Sequence, residues 1–182
     1  ATTAQVTGSV NAGEIGGTNL VVLSAQQANT ASVQSGSFTT TVSTQGPQLL
    51  FVQDSAGKIR GLTFSLPSSQ AAPSIITADA TSTALALLFL SPGVTTSSNA
   101  KAKQVLTALQ QMTSFAPILA FLQTNLPTRS LDDLVKDPAY QPLLTACLTE
   151  WPGVVAALPP IPIASANTVA AFAVDPEVTP VL

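Results

Sequence analysis

The chain has no histidine, and of its 182 residues only six are Lys or Arg and nine are Asp or Glu. Histidine is the side chain whose ordinary pKa lies nearest neutrality, and it is the commonest protein ligand of metals. Its absence removes His-based acid–base catalysis, Ser–His and Cys–His nucleophile pairs, and imidazole metal centres. Charged residues form 8% of the chain, about a third of the roughly 25% usual in soluble domains. The cations Lys58, Arg60, Lys101, Lys103, Arg129 and Lys136 are scattered, and the net charge is −3. Nucleic-acid binding needs a clustered basic footprint to neutralise phosphates, so no such partner is expected.

A single cysteine, Cys147, excludes an internal disulfide. It lies in the apolar run Pro142-Leu-Leu-Thr-Ala-Cys-Leu148 and reads as a small buried hydrophobe rather than a nucleophile. Aromatic residues are 5% of the chain against 46% apolar residues in all, so Val, Leu, Ile and Ala must fill the core. The longest apolar run, Ala84 to Leu90, is far short of the roughly 18 residues that span a bilayer, so no transmembrane segment is expected. No Asn-X-Ser/Thr acceptor occurs. An opening at Ala1 without a charged-then-apolar leader reads as a mature form or an excised piece of a longer chain.

What the sequence does hold divides into two grammars. Residues 1–66 read as strands: Gln5 to Val10, Asn19 to Ser24, Ser37 to Val42, Leu49 to Gln53 and Lys58 to Phe64. Turn residues punctuate them at Asn11-Ala-Gly13, Gly16-Gly17, Ser35-Gly36, Gln45-Gly-Pro47 and Asp54-Ser-Ala-Gly57. Short strands at this spacing predict an antiparallel β-sandwich. Residues 67–78 read as a linker. Residues 79–182 read as a small helical subdomain with a Pro-rich C-terminal segment, so the expected class is α+β. Asp79 is the expected N-cap of a nearly all-apolar helix ending at Leu90, the buried centre of that half. A long helix is expected from Asn99, with Val105, Leu109, Met112, Ala116 and Leu119 on one face and Pro117 kinking or breaking it. Ser130 and Asp133 suggest a capping box. A further helix fits Pro138 to Glu150, closed by Trp151-Pro-Gly153. Val169 to Val174 fits a last strand, followed by an extended ending.

The search for chemistry yields little. Among the nine acids, one set of three stands close together: Asp132, Asp133 and Asp137. Paired carboxylates run glycoside hydrolysis, but at a helix start acids favour the dipole, and a solvated helix face is the preferred reading. Asp54 to Lys58 resembles a calcium loop superficially but lacks the further oxygen ligands; a hairpin turn is preferred. Gly13-Glu-Ile-Gly-Gly17 lacks the Gly-Lys-Ser/Thr of a phosphate cradle and reads as a loop between strands. No Gly-X-Ser-X-Gly elbow occurs, and a Ser–Lys dyad on Lys101 or Lys103 stays open as an alternative. Trp151 and Tyr140 could stack on a sugar, although Trp151 beside Pro152 is better read as closing a helix against the core. No catalytic, cofactor-binding or metal residues and no cofactor are therefore expected.

The first half resembles the carboxypeptidase regulatory-like, or transthyretin-like, β-sandwich module of bacterial surface proteins. The residues that carry the resemblance are Val6-Thr-Gly-Ser-Val10, Val21 to Ala25, and Ser35-Gly-Ser-Phe-Thr-Thr-Thr-Val42, over about residues 3–66. Ala80 to Gly93 resembles a segment that follows such modules in predicted bacterial surface lipoproteins. The resemblance implies an exported, modular and non-catalytic chain and carries no functional residues across. The expected function is therefore an extracellular or cell-envelope module for binding, presentation or spacing, with a protein or glycan partner at the cell surface. The alternatives are a hydrolase of surface polymers, needing two carboxylates in a cleft, and a carrier of a small apolar ligand between the helices 84–90 and 105–122.

Overall fold

The computed structural model describes residues 3–25, 29–67, 75–160 and 178–180. It is an α+β fold with two principal sheets and six helices among these residues. The first sheet has the order β4-β1-β7, from Ser37–Ser43 (β4), Thr3–Val10 (β1) and Ile75–Ala78 (β7). The second has the order β3-β2-β5-β6, from Thr30–Ser32 (β3), Val21–Ser24 (β2), Gln48–Gln53 (β5) and Ile59–Ser65 (β6). Alternation decides what each strand buries. Val6, Val10, Phe38 and Val42 from the first sheet and Val22, Leu50 and Val52 from the second enter one hydrophobic cluster. The opposite side of the first sheet shows Gln5, Thr7, Ser37, Thr39 and Thr77 to solvent.

Two departures from the expected sheets have clear causes. β7 runs parallel to β1 (Thr7↔Ile75 to Val10↔Ala78), so the first sheet is mixed rather than antiparallel. The segment read as linker therefore ends in a sheet strand. The sequence there, Ile75-Ile-Thr-Ala78, is too short to announce itself. Ala12–Ile15 (α1) is helical where turn and loop were expected. Its single turn is held from afar: Glu14 accepts from Asn11 Nδ2 (2.9 Å) and from the main-chain N–H of Ala80 (3.2 Å).

Ala80–Leu90 (α2) is the central helix, as its composition predicts. Asp79 caps it, accepting from Ser82 N at 2.7 Å, while Ser82 Oγ accepts from Asp79 N at 3.0 Å. Ala84, Ala86 and Leu88 are fully buried. Its polar face is put to a different use. Ser82 Oγ donates to Leu62 O (2.7 Å) and Thr83 Oγ1 accepts from Leu62 N (3.0 Å). These hydroxyls satisfy the outer edge of β6, which would otherwise present bare main-chain groups. Gly61 leaves room for the approach: a Cβ there would meet Thr83 Oγ1 and Ile15 Cδ1 at 3.2 Å, closer than ordinary contact.

The expected long helix is two helices, Asn99–Gln110 (α3) and Phe115–Asn125 (α4), bent by 87° across residues 111–114. Pro117 is the third residue of α4. In a continuous helix its ring would strike the carbonyl of Thr113, so the break falls one turn earlier, where the missing N–H is harmless. Leu131–Leu134 (α5) follows Ser130, whose hydroxyl caps it. The bond partner differs from a full capping box, because Ser130 Oγ also donates to Asp133 Oδ2 at 2.7 Å.

Tyr140–Ala156 (α6) runs through Pro152 and Gly153 rather than stopping at them. An interior proline costs about 3 kcal/mol. Burying one large apolar side chain contributes about 1.5–3 kcal/mol. Trp151 is buried, and Val154 and Val155 pack on the core, so the continuation wins. Val94–Thr96 (β8) pairs antiparallel with Val178–Pro180 (β9), where an extended ending was expected. The expected strand at Val169 to Val174 lies outside the described residues. No single helix among the described residues is long and apolar enough to cross a membrane. Buried side chains of the sheets and of α2, α3, α4, α5 and α6 belong to one cluster.

Candidate functional site

The acids show what the fold does with its few charges. Seven of the nine lie among the described residues, and each accepts hydrogen bonds that close a helix, a turn or a contact between elements. Asp54 Oδ1 accepts from Ala56 N (2.9 Å) and Lys58 N (3.0 Å), which makes it the hairpin turn expected of it. Asp79 and Glu14 serve the start of α2 as described above. The close trio does not converge. Asp132 Oδ2 accepts from Ile59 N (2.8 Å), tying α5 to β6. Asp133 bonds back to Ser130, whose hydroxyl is the main cause of its lowered pKa. Asp137 accepts from Ala139 N (2.9 Å) and pairs with Arg129 (2.6 Å); those bonds, the Ala139 N–H foremost, lower its pKa.

The densest polar grouping around the thiol is Ser114, Cys147 and Glu150, at the start of α4 beside α6. Sequence reading missed it, because 33 and 36 positions separate Ser114 from the other two. Glu150 accepts from Ser114 Oγ (2.6 Å), Ser114 N (3.0 Å), Thr113 N (3.0 Å) and Thr113 Oγ1 (3.1 Å). Donors fixed around an anion favour it. The Ser114 hydroxyl leads, followed by the Ser114 and Thr113 main-chain N–H groups, and together they hold the carboxyl near a pKa of about 2. A carboxylate so held is a poor proton acceptor; it completes the N-terminus of α4 from a neighbouring helix. Cys147 is fully buried, its Sγ donates to Ser114 O (3.3 Å), and burial is the main cause of its raised pKa. Thiolate chemistry needs the opposite shift. This grouping is a helix cap over a buried thiol.

The link between carboxyl and fold is directly testable. Glu150 titrates near 4.5 when unfolded and near 2 when folded. Its stabilisation is then present above the unfolded pKa and is lost as pH falls through the folded pKa. Glu150→Gln is expected to flatten the acid limb of stability between about pH 4.5 and 2, read from urea midpoints across that range. A limb as steep as in the parent would contradict the cap.

The aromatic platform does not form. Trp151 is buried and its Nε1 donates to Leu88 O (2.9 Å), joining α6 to α2. The Tyr140 ring is buried beside Phe121, 6.2 Å between ring centres. No aromatic ring among the described residues is exposed. Burial pushes the Tyr140 hydroxyl up to about 12. As the single tyrosine of the chain, it should give no phenolate absorbance at pH 11 until unfolding releases it. The folded state holds its proton longer than the unfolded state, so stability should fall as pH rises above about 10. Ionisation near pH 10 in the folded protein would contradict this burial.

The described residues also line surface hollows, of which two are sizeable. One, about 420 Å³, follows the outer face of α3 along Ala100, Gln104, Thr107 and Ala108 to Leu158. It is not the expected inter-helix cavity, since Ala84, Leu88, Val105, Leu109 and Leu122 are buried in the shared core. The other, about 450 Å³, lies between β3 and β4. Among the described residues no group of three or more Cys, Asp or Glu could hold a metal ion. No family model matches the sequence, and no curated protein or solved structure is significantly similar to it.

Proposed function

We propose that the chain is a non-catalytic module of an extracellular or cell-envelope protein, acting in binding, presentation or spacing. One observation carries this reading: all seven carboxylates among the described residues are engaged in holding the fold, and the one thiol is buried with a raised pKa. The exposed hydroxyl and amide side chains of the β4-β1-β7 sheet fit an exported surface. We read the two sheets as a β-sandwich, the architecture of the carboxypeptidase regulatory-like module that residues 3–66 resemble, carried on a surface lipoprotein and meeting a protein or glycan partner there. A hydrolase would need two carboxylates facing one cleft, and Asp132, Asp133 and Asp137 each face a different partner. The test is incubation of the purified chain with neutral and acidic polysaccharides and with simple esters. No product above buffer is expected. Product that disappears in the Asp132→Asn/Asp133→Asn variant would overturn the reading.

The open apolar hollow on α3 favours one second reading, a carrier of a small apolar ligand. A fluorescent fatty-acid probe binding in one-to-one stoichiometry would support it over the first.

A further inference from the structure

The chain parts into its two sheets at a tight turn. Gln34 and Ser37 exchange both main-chain bonds (2.8 and 2.9 Å) across Ser35-Gly36. Beyond that pair the strands diverge, β3 to pair with β2 and β4 to pair with β1. The hollow between them is lined by Asn29, Thr30, Ala31, Thr39, Thr40 and Thr41. Antiparallel bonding alternates along a strand, so Thr39 and Thr41 direct their main-chain groups to the same side as Ser37, towards β3. Thr40, from the buried side of β4, forms part of the lining and is only 6% exposed. Thr39 extends the lining onto the outer face of the sheet, where its hydroxyl meets that of Thr7 at 3.3 Å.

From this geometry we propose that the groove between β3 and β4 binds a sugar ring of an uncharged glycan. The volume of about 450 Å³ falls within the roughly 300–1,000 Å³ of small-molecule sites. Five of the six lining residues carry a hydroxyl or amide and none carries a charge. A lipid would bring no hydrogen-bonding atom to this hydroxyl-rich lining, and an ion would find no opposite charge. A neutral polyol meets neutral donors and acceptors on each side. Thr39, Thr7, Gln5 and Ser37 continue the uncharged surface along the sheet, so a polymer can run on from the groove. The inference deepens the binding role proposed above and rests on it.

The experiment is an NMR titration of the full ¹⁵N-labelled chain with uncharged glucose hexasaccharides, α- and β-linked, against a sulfated hexasaccharide of similar size. Saturable shifts at the amides of residues 29–31 and 39–41 are expected with the neutral sugars alone. Thr39→Lys should weaken them about ten-fold or more, the change produced by losing about one good contact, and Thr39→Ser should retain them. Thr39 is exposed on its strand, and the two variants' spectra report folding directly. Absence of shifts, shifts centred elsewhere, equal response to the sulfated sugar, or an unchanged affinity in Thr39→Lys would each overturn the site. Cleavage of the sugar during titration would instead overturn the non-catalytic reading.

Discussion

Arg60→Met is expected to lower stability by about 3–8 kcal/mol. Arg60 is 7% exposed. Its Nε donates to Ile15 O (3.0 Å) and its Nη2 to Leu126 O (2.8 Å). Ile15 is the last residue of α1, and Leu126 caps the end of α4. One guanidinium therefore serves the negative ends of two helices and pins both to β6. Methionine keeps most of the stem's packing but leaves two carbonyls unpaired. Each costs about 1–3 kcal/mol when buried, and each lost cation at a helix end adds about 0.3–1 kcal/mol. For a chain of this size each kcal/mol moves the midpoint by about 2–4 °C, so a fall of roughly 10 °C or more is expected in thermal unfolding. Arg60→Lys supplies a charge without the two-pronged fork and should recover only part of the loss. A change below about 1 kcal/mol in Arg60→Met would show that the contact is incidental.

Gly16→Ala should be nearly as damaging, at about 2–6 kcal/mol. Gly16 has φ +65° and ψ −168°, a region that is essentially glycine's alone, and strain there costs about 1–3 kcal/mol. A Cβ would also overlap the Pro127 carbonyl oxygen and Arg60 Nη2, adding about 1–3 kcal/mol of overpacking. The two predictions are coupled. The methyl group strikes the same guanidinium that Arg60→Met removes, so the double variant should be less destabilised than the sum of the singles. Strict additivity in urea unfolding would contradict a shared node.

This node also marks where sequence reading stops. Arg60 sits in an alternating strand and looks like one more solvated cation, because its partners lie 45 and 66 positions away. Gly16-Gly17 reads as a loop, because nothing in the sequence reports that Pro127 and Arg60 press against it. Local signals were legible. Asp79 capping α2, the Asp54 turn, the strands from Ser37 to Ser65, and Trp151 turned to the core all follow from short-range chemistry. The parallel β1–β7 pair and the β8–β9 pair depend on distant contacts and left no local pattern. Pro152 misleads for a related reason: its local cost is overruled by the tertiary burial of Trp151. The Glu150 cap on Ser114 needs a carboxylate 36 positions from its donors, and no spacing rule foretells it.

The few charged side chains are expected to weld the sheets and helices into one cooperative unit, and they leave the outer face of the β4-β1-β7 sheet uncharged. Scanning calorimetry of the full chain at neutral pH tests it most directly. One transition is expected, with calorimetric and van't Hoff enthalpies in agreement, moved down as a whole in Arg60→Met. Two resolved transitions, with Arg60→Met shifting only one of them, would contradict it.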